Sequence, residues 1–204
     1  MKTKQLLLIS LIIGTFLGGC VSRRATLKTF IDPSIQSTSV KTAAVFAMRN
    51  TAFSPGETME MDRTITQAFF QTNINVKVVG TTDAGTLLNR ENLADEYSSF
   101  LSGFEYSGMP NTVFLNKLKE KLKVDAILQG RLSEVVQTDR MKHVPARTTA
   151  TVRYTLLSTT SGRILWEATS NAVIQTHKRF APPIYEVATF AQNKILTSIP
   201  TLGK

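Results

Sequence analysis

The chemistry of this chain centres on its single cysteine, Cys20, which directly follows two glycines. An apolar run over 6–17 precedes the glycines, and two lysines precede that run. A basic start, a short apolar stretch and small residues at its end form a secretory signal. A thiol at this point is typical of bacterial lipoproteins, in which an enzyme attaches diacylglycerol to the thiol and needs that nucleophile in an extended, unhindered backbone. We therefore predict that Cys20 carries covalent diacylglycerol and an N-acyl chain, and that the chain needs no other cofactor.

Two other interpretations of this segment stay open: an ordinary cleaved signal followed by a chance free cysteine, and a short uncleaved anchor. The apolar run holds about a dozen residues, too few for a helix across a ~30 Å hydrocarbon core. Neither Val21 nor Ser22 is acidic. In enteric bacteria an acidic residue after the lipidated cysteine retains lipoproteins in the inner membrane. The predicted location is therefore the outer membrane, with the protein facing the periplasm.

The sequence divides into a signal peptide over 1–19, an acylated cysteine with a flexible tether over 20–39, and a single periplasmic domain over 40–204. The tether assignment rests on many serines and threonines, a break at Pro33 and the lack of a sustained hydrophobic period. Its basic residues either attract an anionic surface beside the lipids or are merely solvated. They are Arg23, Arg24 and Lys28.

The charge balance restricts the partners. The full chain has a formal net charge of +9, which becomes +7 once the two lysines of the signal are removed. Positive charge favours anionic neighbours such as lipid headgroups, cell-wall carboxylates or acidic protein faces. Nucleic acid is not expected as a partner, because the export signal separates the chain from it. With its only thiol acylated, the mature chain has no disulfide, so one hydrophobic core must stabilise about 185 residues.

Hydrophobic periodicity predicts an α/β (α+β) domain in which helices pack on a mixed sheet of about five strands. The C-terminal part predicts a β-hairpin that turns at Ser161-Gly162, followed by a final helix. The predicted strands are 43–48, 76–79, 126–137, 149–156 and 164–174, and the predicted helices are 57–72, 83–103, 111–122 and 182–199.

Five short motifs occur in order between residues 40 and 199: an apolar first strand, an Arg-Glu-x-Leu element, a Ser-Gly turn, a Val-Asp-Ala strand entry and a hairpin turn that runs into Leu-Trp. They occupy 43–48, 90–93, 107–108, 124–126 (with Gly130) and 160–166. This order resembles the lipoprotein family that includes the curli-secretion pore protein (CsgG), the outer-membrane activators of penicillin-binding proteins and the amino-terminal domain of the Tol translocation protein. The resemblance implies an envelope location and a fold, without an active site.

The motif residues are expected to be structural. Gly130 within a strand predicts a close backbone approach or a bulge. Gly162 suits the turn, Trp166 fills core volume, and Asp125 is expected to accept backbone hydrogen bonds. The pore protein of the family extends two long hairpins, whereas the connections at the same places here, 138–148 and 175–181, are short and charged. We therefore expect no pore of that kind.

These two connections predict the one local site in the chain. Because the strands that flank them are joined by the Ser161-Gly162 turn, the far ends of the strands should be neighbours. Five permanent cations and two histidines would then gather at one end of the sheet. We predict that this cluster docks an acidic partner or an anionic envelope polymer, the alternative being a well-hydrated loop edge. Its members are Arg140, Lys142, His143, Arg147, His177, Lys178 and Arg179.

Enzymatic interpretations find little support in the sequence. No Gly-x-Ser-x-Gly elbow, phosphate-binding loop or dinucleotide fingerprint occurs, and the histidines lack metal-ligand spacing. Glu57, Glu60 and Asp62 stand near a helix start, where they complement the helix dipole.

We therefore expect a non-enzymatic, lipid-anchored accessory or scaffold protein of an outer-membrane envelope machine that serves secretion, peptidoglycan synthesis or flagellar assembly. It would act by docking to protein partners. The alternative is a homo-oligomeric ring within an export complex of the curli-secretion type, and an envelope hydrolase is a distant third.

Overall fold

The computed structural model describes residues 21–36 and 38–202. Within these residues it has a six-stranded mixed sheet and five helices, which confirms the predicted α/β class with one strand more than expected. The strands are β1 (Ser22–Ile31), β2 (Thr42–Arg49), β3 (Lys77–Val79), β4 (Ala126–Thr138), β5 (Ala146–Ser158) and β6 (Ile164–Thr176). The helices are α1 (Pro55–Thr72), α2 (Thr81–Arg90), α3 (Ala94–Ser107), α4 (Thr112–Leu122) and α5 (Ile184–Leu196).

The strand order across the sheet is β1-β6-β5-β4-β2-β3. Strands β4, β5 and β6 form an antiparallel meander, and β2 and β3 continue the sheet in parallel with β4. Strand β2 pairs only with the first part of β4, up to Arg131. The second half of β4 therefore projects past β2 together with its antiparallel neighbours, and this extension forms one end of the molecule.

The prediction of a flexible tether over 20–39 was wrong for most of that segment. Residues Ser22–Ile31 form the edge strand β1, which pairs with β6 from Ser22 opposite Gln175 to Ile31 opposite Trp166. Most of β1 is exposed, because a sheet edge covered by one helix buries little of either strand face. This exposure removed the alternating pattern by which half-buried strands are found in a sequence.

The connection from β1 to β2 is held by Asp32, a buried carboxylate. It accepts hydrogen bonds from the backbone and hydroxyl of Ser34 and lies 2.7 Å from the guanidinium of Arg163. The bonds from Ser34 and the nearby Arg163 hold the pKa of Asp32 below its usual value. Since Arg163 lies in the β5–β6 turn, this ion pair ties the end of β1 to that turn, at the end of the sheet opposite the projecting strands.

Helices pack on both faces of the sheet. On one face α1 packs on β2 and α5 packs on β5 and β6, and one core cluster contains Ile65, Phe69, Ala191 and the fully buried Trp166. Helices α2, α3 and α4 pack on the other face, against β2 and the start of β4. The helix predicted over 83–103 is two helices, α2 and α3, separated by a turn in which Asn92 has φ +54°.

Local predictions about the motif residues are confirmed. Asp125 accepts hydrogen bonds from the backbone N–H groups of Lys41 and Thr42, both at 3.0 Å, which fixes β2 beside β4. The side chain of Asn111 accepts from the N–H of Phe114 and caps α4. These side chains act on backbone groups and fix where elements begin.

Gly130 lies against the ring of Tyr154, so the predicted close approach is confirmed. A Cβ at this position would stand 2.5 Å from Cε1 of Tyr154. The ring cannot retreat freely, because it is buried and its hydroxyl is bonded to the side chain of Gln192 at 2.8 Å.

We predict that Gly130→Ala lowers the free energy of unfolding by about 2 kcal/mol, the usual cost of overpacking a core. Chemical denaturation measures this change. The matched control is Gly85→Ala in α2, where an added Cβ meets nothing within 4 Å. The control should gain up to about 1 kcal/mol from the higher helix propensity of alanine. Equal stabilities of Gly130→Ala and the unsubstituted protein would contradict the close approach.

Candidate functional site

The predicted lipidation site, Cys20, lies outside the described residues. The first described residue is Val21, and its position shows where the described chain begins. Strand β1 begins at Ser22 opposite Gln175, near the end of β6. Val21 lines a groove together with Lys178, Phe180 and Pro182, in the connection that follows β6. The N-terminal end of the described chain is therefore at the projecting end of the sheet.

The two charged connections lie side by side at this same end. The backbone N–H of Arg140 donates to the carbonyl of Arg179 at 3.1 Å, and the guanidinium of Arg140 donates to the carbonyl of His177 at 2.7 Å. The carboxylate of Asp139 accepts from the N–H of Ala181 at 2.8 Å. These bonds fix the β4–β5 connection against the β6–α5 connection, so the predicted cations gather on one surface.

We call this surface the basic rim, and all seven of its predicted members have exposed side chains. Arg147 does not precede β5 as expected but is the second residue of that strand, because β5 begins at Ala146. Lys142 has φ +25° at the hairpin tip, a strained backbone that turns the chain sharply. The guanidinium of Arg179 lies 5.3 Å from the ring centre of Phe180, a cation–π contact.

Exposed apolar side chains lie among these cations, and they were not predicted from the sequence. Met141 and Phe180 are each 66% exposed, and Val144 is 54% exposed. Val21 and Val136 are about half exposed at the same end. The signal for them is visible in the sequence: Met141 and Val144 bracket Lys142 and His143 in a turn, where no core is available to bury them.

The face of the meander opposite α5 is a second feature. Along β1, β6, β5 and β4, successive side chains point to opposite faces of the sheet, and the register aligns each set of alternate residues across the four strands. One set, which includes Ala150 and Ala172, is buried under α5. The other set forms a largely polar surface, which we call the open face, because α3 and α4 cover only its parts near β2 and near the β5–β6 turn. It includes Arg24, Thr26, Lys28, Arg131, Glu134, Arg147, Thr149, Thr151, Arg153, Glu167, Thr169 and Asn171.

Electrostatics on the open face are unbalanced. Arg131 and Arg153 stand directly opposite each other across the β4–β5 pair, an arrangement that is normally destabilising for like charges. Arg131 shares the carboxylate of Glu105 with Arg49, at 3.4 and 3.0 Å, so one acid serves two arginines. The open face therefore carries an excess of positive charge across its width.

A cleft of about 710 Å³ lies at the carboxyl ends of the parallel strands β2 and β3. In open α/β sheets this edge is the usual place for ligands. Asp62 of α1 and Thr81 of α2 line the cleft. The hydroxyl of Thr81 is buried and makes no hydrogen bond within the described part of the chain.

Asp62 is only 4% exposed, and one of its carboxylate oxygens accepts the N–H of Met48 at 2.9 Å. Burial raises the pKa of Asp62 to about 6, and the hydrogen bond from Met48 opposes that shift. The interpretation of three acids facing the helix dipole was therefore wrong for Asp62. It holds only for Glu57, which forms a capping box with Ser54, whereas Glu60 pairs with Arg63.

Neither a metal site nor a membrane-spanning helix is found in the described residues. No group of three or more histidine, cysteine, aspartate or glutamate side chains in 21–36 and 38–202 is arranged to hold a metal ion. Within those ranges no helix combines the length and the apolar character needed to span a membrane.

Comparisons with known proteins give no family for the chain. No model of a known protein family matches it, and no curated protein matches it. Among solved structures, it is similar to a PelC dodecamer from Paraburkholderia phytofirmans, with 14% identity, a TM-score of 0.47, and coverage of 87% of this chain and 99% of that one.

Two further solved structures are similar at this level. The lipoprotein GNA1162 from Neisseria meningitidis has 16% identity and a TM-score of 0.42, over 76% of this chain and 98% of that one. Protein XCC0632 from Xanthomonas campestris, of family DUF330, has 10% identity and a TM-score of 0.38, over 83% and 86%. Such low identities and TM-scores transfer no function.

The resemblance to the curli-secretion and penicillin-binding-protein-activator family was wrong. The similar structures are PelC, GNA1162 and a DUF330 protein. The physical reason lies in the motifs, which serve the fold. Asp125 bonds to backbone, Gly162 has φ +69° in a turn, and Trp166 fills the core. Unrelated sequences with similar elements need the same residues at the same places.

The raised pKa of Asp62 makes stability depend on pH. Between the unfolded pKa, near 3.8, and the folded pKa, about 6, the folded state binds the proton more tightly. The free energy of unfolding therefore falls by about 3 kcal/mol as pH rises through that window. We predict that Asp62→Asn, which keeps an acceptor for Met48, removes this fall and is more stable than the unsubstituted protein at pH 7.5.

Denaturation at pH 4.5 and pH 7.5 measures the effect, and Glu60→Gln is the control. That exposed carboxylate should alter stability by no more than about 0.5 kcal/mol at either pH. If Asp62→Asn is less stable than the unsubstituted protein at pH 7.5, the carboxylate is stabilised by a partner and the account of its burial is wrong.

Proposed function

We propose that this chain is a lipid-anchored accessory protein of the bacterial envelope that acts by docking and not by catalysis. The observation that carries the proposal is the position of β1. Its pairing with β6 begins two residues after Cys20, so a lipid on that cysteine would hold the domain by the projecting end of the sheet. The signal that precedes Cys20 supports export and acylation.

The outer membrane, facing the periplasm, is the proposed location, because neither Val21 nor Ser22 is acidic. Three acyl chains would make the attachment effectively permanent, whereas a single chain gives only marginal binding.

The open face is the proposed docking surface for a protein partner of the envelope. It faces away from both helices α1 and α5, and its cations outnumber its two carboxylates, Glu134 and Glu167. Such a surface suits an acidic protein face, since complementary charge accelerates encounter and fixes orientation. A partner captured through this surface would identify the envelope machine.

Acylation is tested by labelling cells with radioactive palmitate. We predict that the unsubstituted protein is labelled and sediments with outer membranes, and that Cys20→Ala is unlabelled and leaves the membrane fraction. Equal labelling of the two forms would contradict the anchor. A sizing column on the detergent-extracted protein, run in parallel, distinguishes a monomer or dimer from the ring considered as an alternative.

Docking is tested with a photo-crosslinking residue at Thr169, near the middle of the open face, and at Asn193, an exposed position on α5. We predict a discrete adduct in cells from position 169 and none from 193. Combining position 169 with Arg24→Glu and Lys28→Glu, two exposed substitutions on the same face, should weaken the adduct several-fold. Equal adducts from both positions, or an adduct indifferent to the charge reversal, would rule out the open face.

A further inference from the structure

The basic rim combines exposed cations with exposed apolar side chains at the end of the domain nearest the anchor. We propose that this rim is a membrane-contact surface that binds the anionic headgroups of the bilayer holding Cys20. The proposal rests on the lipid-anchored function above and adds to it an orientation: the projecting end of the sheet meets the bilayer and the β5–β6 turn points away.

The first argument is the place at which the described chain begins. Adjacent Cα atoms are about 3.8 Å apart across a trans peptide, so Cys20 can be no farther than that from Val21. Val21 in turn lines the groove formed by Lys178 and Phe180. Acyl chains on Cys20 therefore emerge beside the rim, and the bilayer they enter is the first large surface the rim can contact.

The second argument is that β1 removes most of the flexible connection between Cys20 and the domain. A tether of nineteen residues could have let the domain turn any surface towards the membrane. Ten of those residues are instead paired along β6, and Arg23 is fixed to Glu186 of α5 by an ion pair of 2.7 Å. The rim can therefore tilt about this attachment, but it stays close to the bilayer unless the edge of the sheet breaks.

The third argument is the chemistry of the surface itself. Lysine and arginine side chains near a membrane are attracted to anionic lipids, and nearby apolar side chains insert at the headgroup level. Met141, Val144 and Phe180 project between the rim cations, an arrangement that suits this interface. An acidic protein partner could contact the same cations and apolar side chains, but the bilayer that holds the acylated cysteine already lies beside them.

The acylated full-length protein, reconstituted in vesicles of phosphatidylglycerol and phosphatidylcholine, provides the test. Because Cys20 is the only cysteine and is consumed by acylation, a second cysteine can be labelled alone with an environment-sensitive fluorophore. Val144→Cys reports on the rim. Val113→Cys is the control, 78% exposed and next to Thr112, whose side chain would contact a Cβ at Gly162 in the opposite turn. Lipids that carry a quencher just below the headgroup are the probe.

We expect strong quenching at position 144 and little at position 113. Lys142→Glu with Lys178→Glu should reduce the quenching at 144 at least about threefold, because two attractions become repulsions. The matched pair Lys121→Glu with Lys194→Glu changes the net charge equally at exposed sites elsewhere and should leave it unchanged. Replacing the mixed vesicles by vesicles of phosphatidylcholine alone should also reduce the quenching at position 144.

The outcomes separate the two proposals. Protein that does not float with the vesicles at all lacks the anchor, and the proposed function fails. Anchored protein with equal quenching at 144 and 113, or with quenching at 144 indifferent to the rim charge reversal, overturns the membrane-contact surface while leaving the anchor intact. An unquenched position 144 that an acidic protein protects from labelling in cells would assign the rim to a protein partner instead.

Discussion

The structure depends on one edge interaction, the pairing of β1 along the whole length of β6. Without it, the proposed lipid on Cys20 would be joined to the domain by nineteen residues that could extend about 60 Å, and no surface of the domain would have a fixed relation to the membrane. With it, a lipid on Cys20 would hold the domain by the projecting end of the sheet. The ion pairs Arg23–Glu186 and Asp32–Arg163 reinforce the two ends of that edge strand.

Fixing one end of the sheet gives the remaining surfaces distinct positions. The basic rim lies beside Val21, where the described chain begins, and the open face runs along the meander between the rim and the far turn. The cleft around Asp62 lies at the carboxyl ends of β2 and β3, set back from the rim because β2 stops pairing at Arg131. Since β4, β5 and β6 are long and antiparallel, a single projecting unit carries both the rim and the open face.

The sequence predicts the parts of the fold that bury a regular pattern. The apolar run of β2, the alternation in β5 and the stripes of α1 and α5 each repeat with the period of their element, so their types were predicted correctly. Asp125, Gly130 and Trp166 were interpreted correctly because each has one dominant physical role. Strand β1 was missed because an exposed edge strand has no apolar period, and its serines and threonines suit a loop equally well.

The candidate site was only partly predictable, for related reasons. The rim cations could be placed together because hairpin connectivity brings the strand ends together. The exposure of Met141 and Val144 was signalled only by their place in a turn, and the exposure of Phe180 depends on the absence of a covering element. The role of Asp62 was misinterpreted because an acidic residue is expected near a helix start whether its side chain is exposed or buried. The family resemblance failed because its motifs follow from the fold.

Amide hydrogen exchange of Ser22–Ile31 in the membrane-bound protein tests the central claim most directly. If β1 is paired with β6, the alternate amides of Ser22–Ile31 that donate to β6 should be protected about as well as the amides of β6. The amides of β1 that face outwards should exchange quickly. If every amide of Ser22–Ile31 exchanges at the rate of an unstructured chain, β1 is not paired. The domain is then free on a tether, and the account of its orientation is wrong.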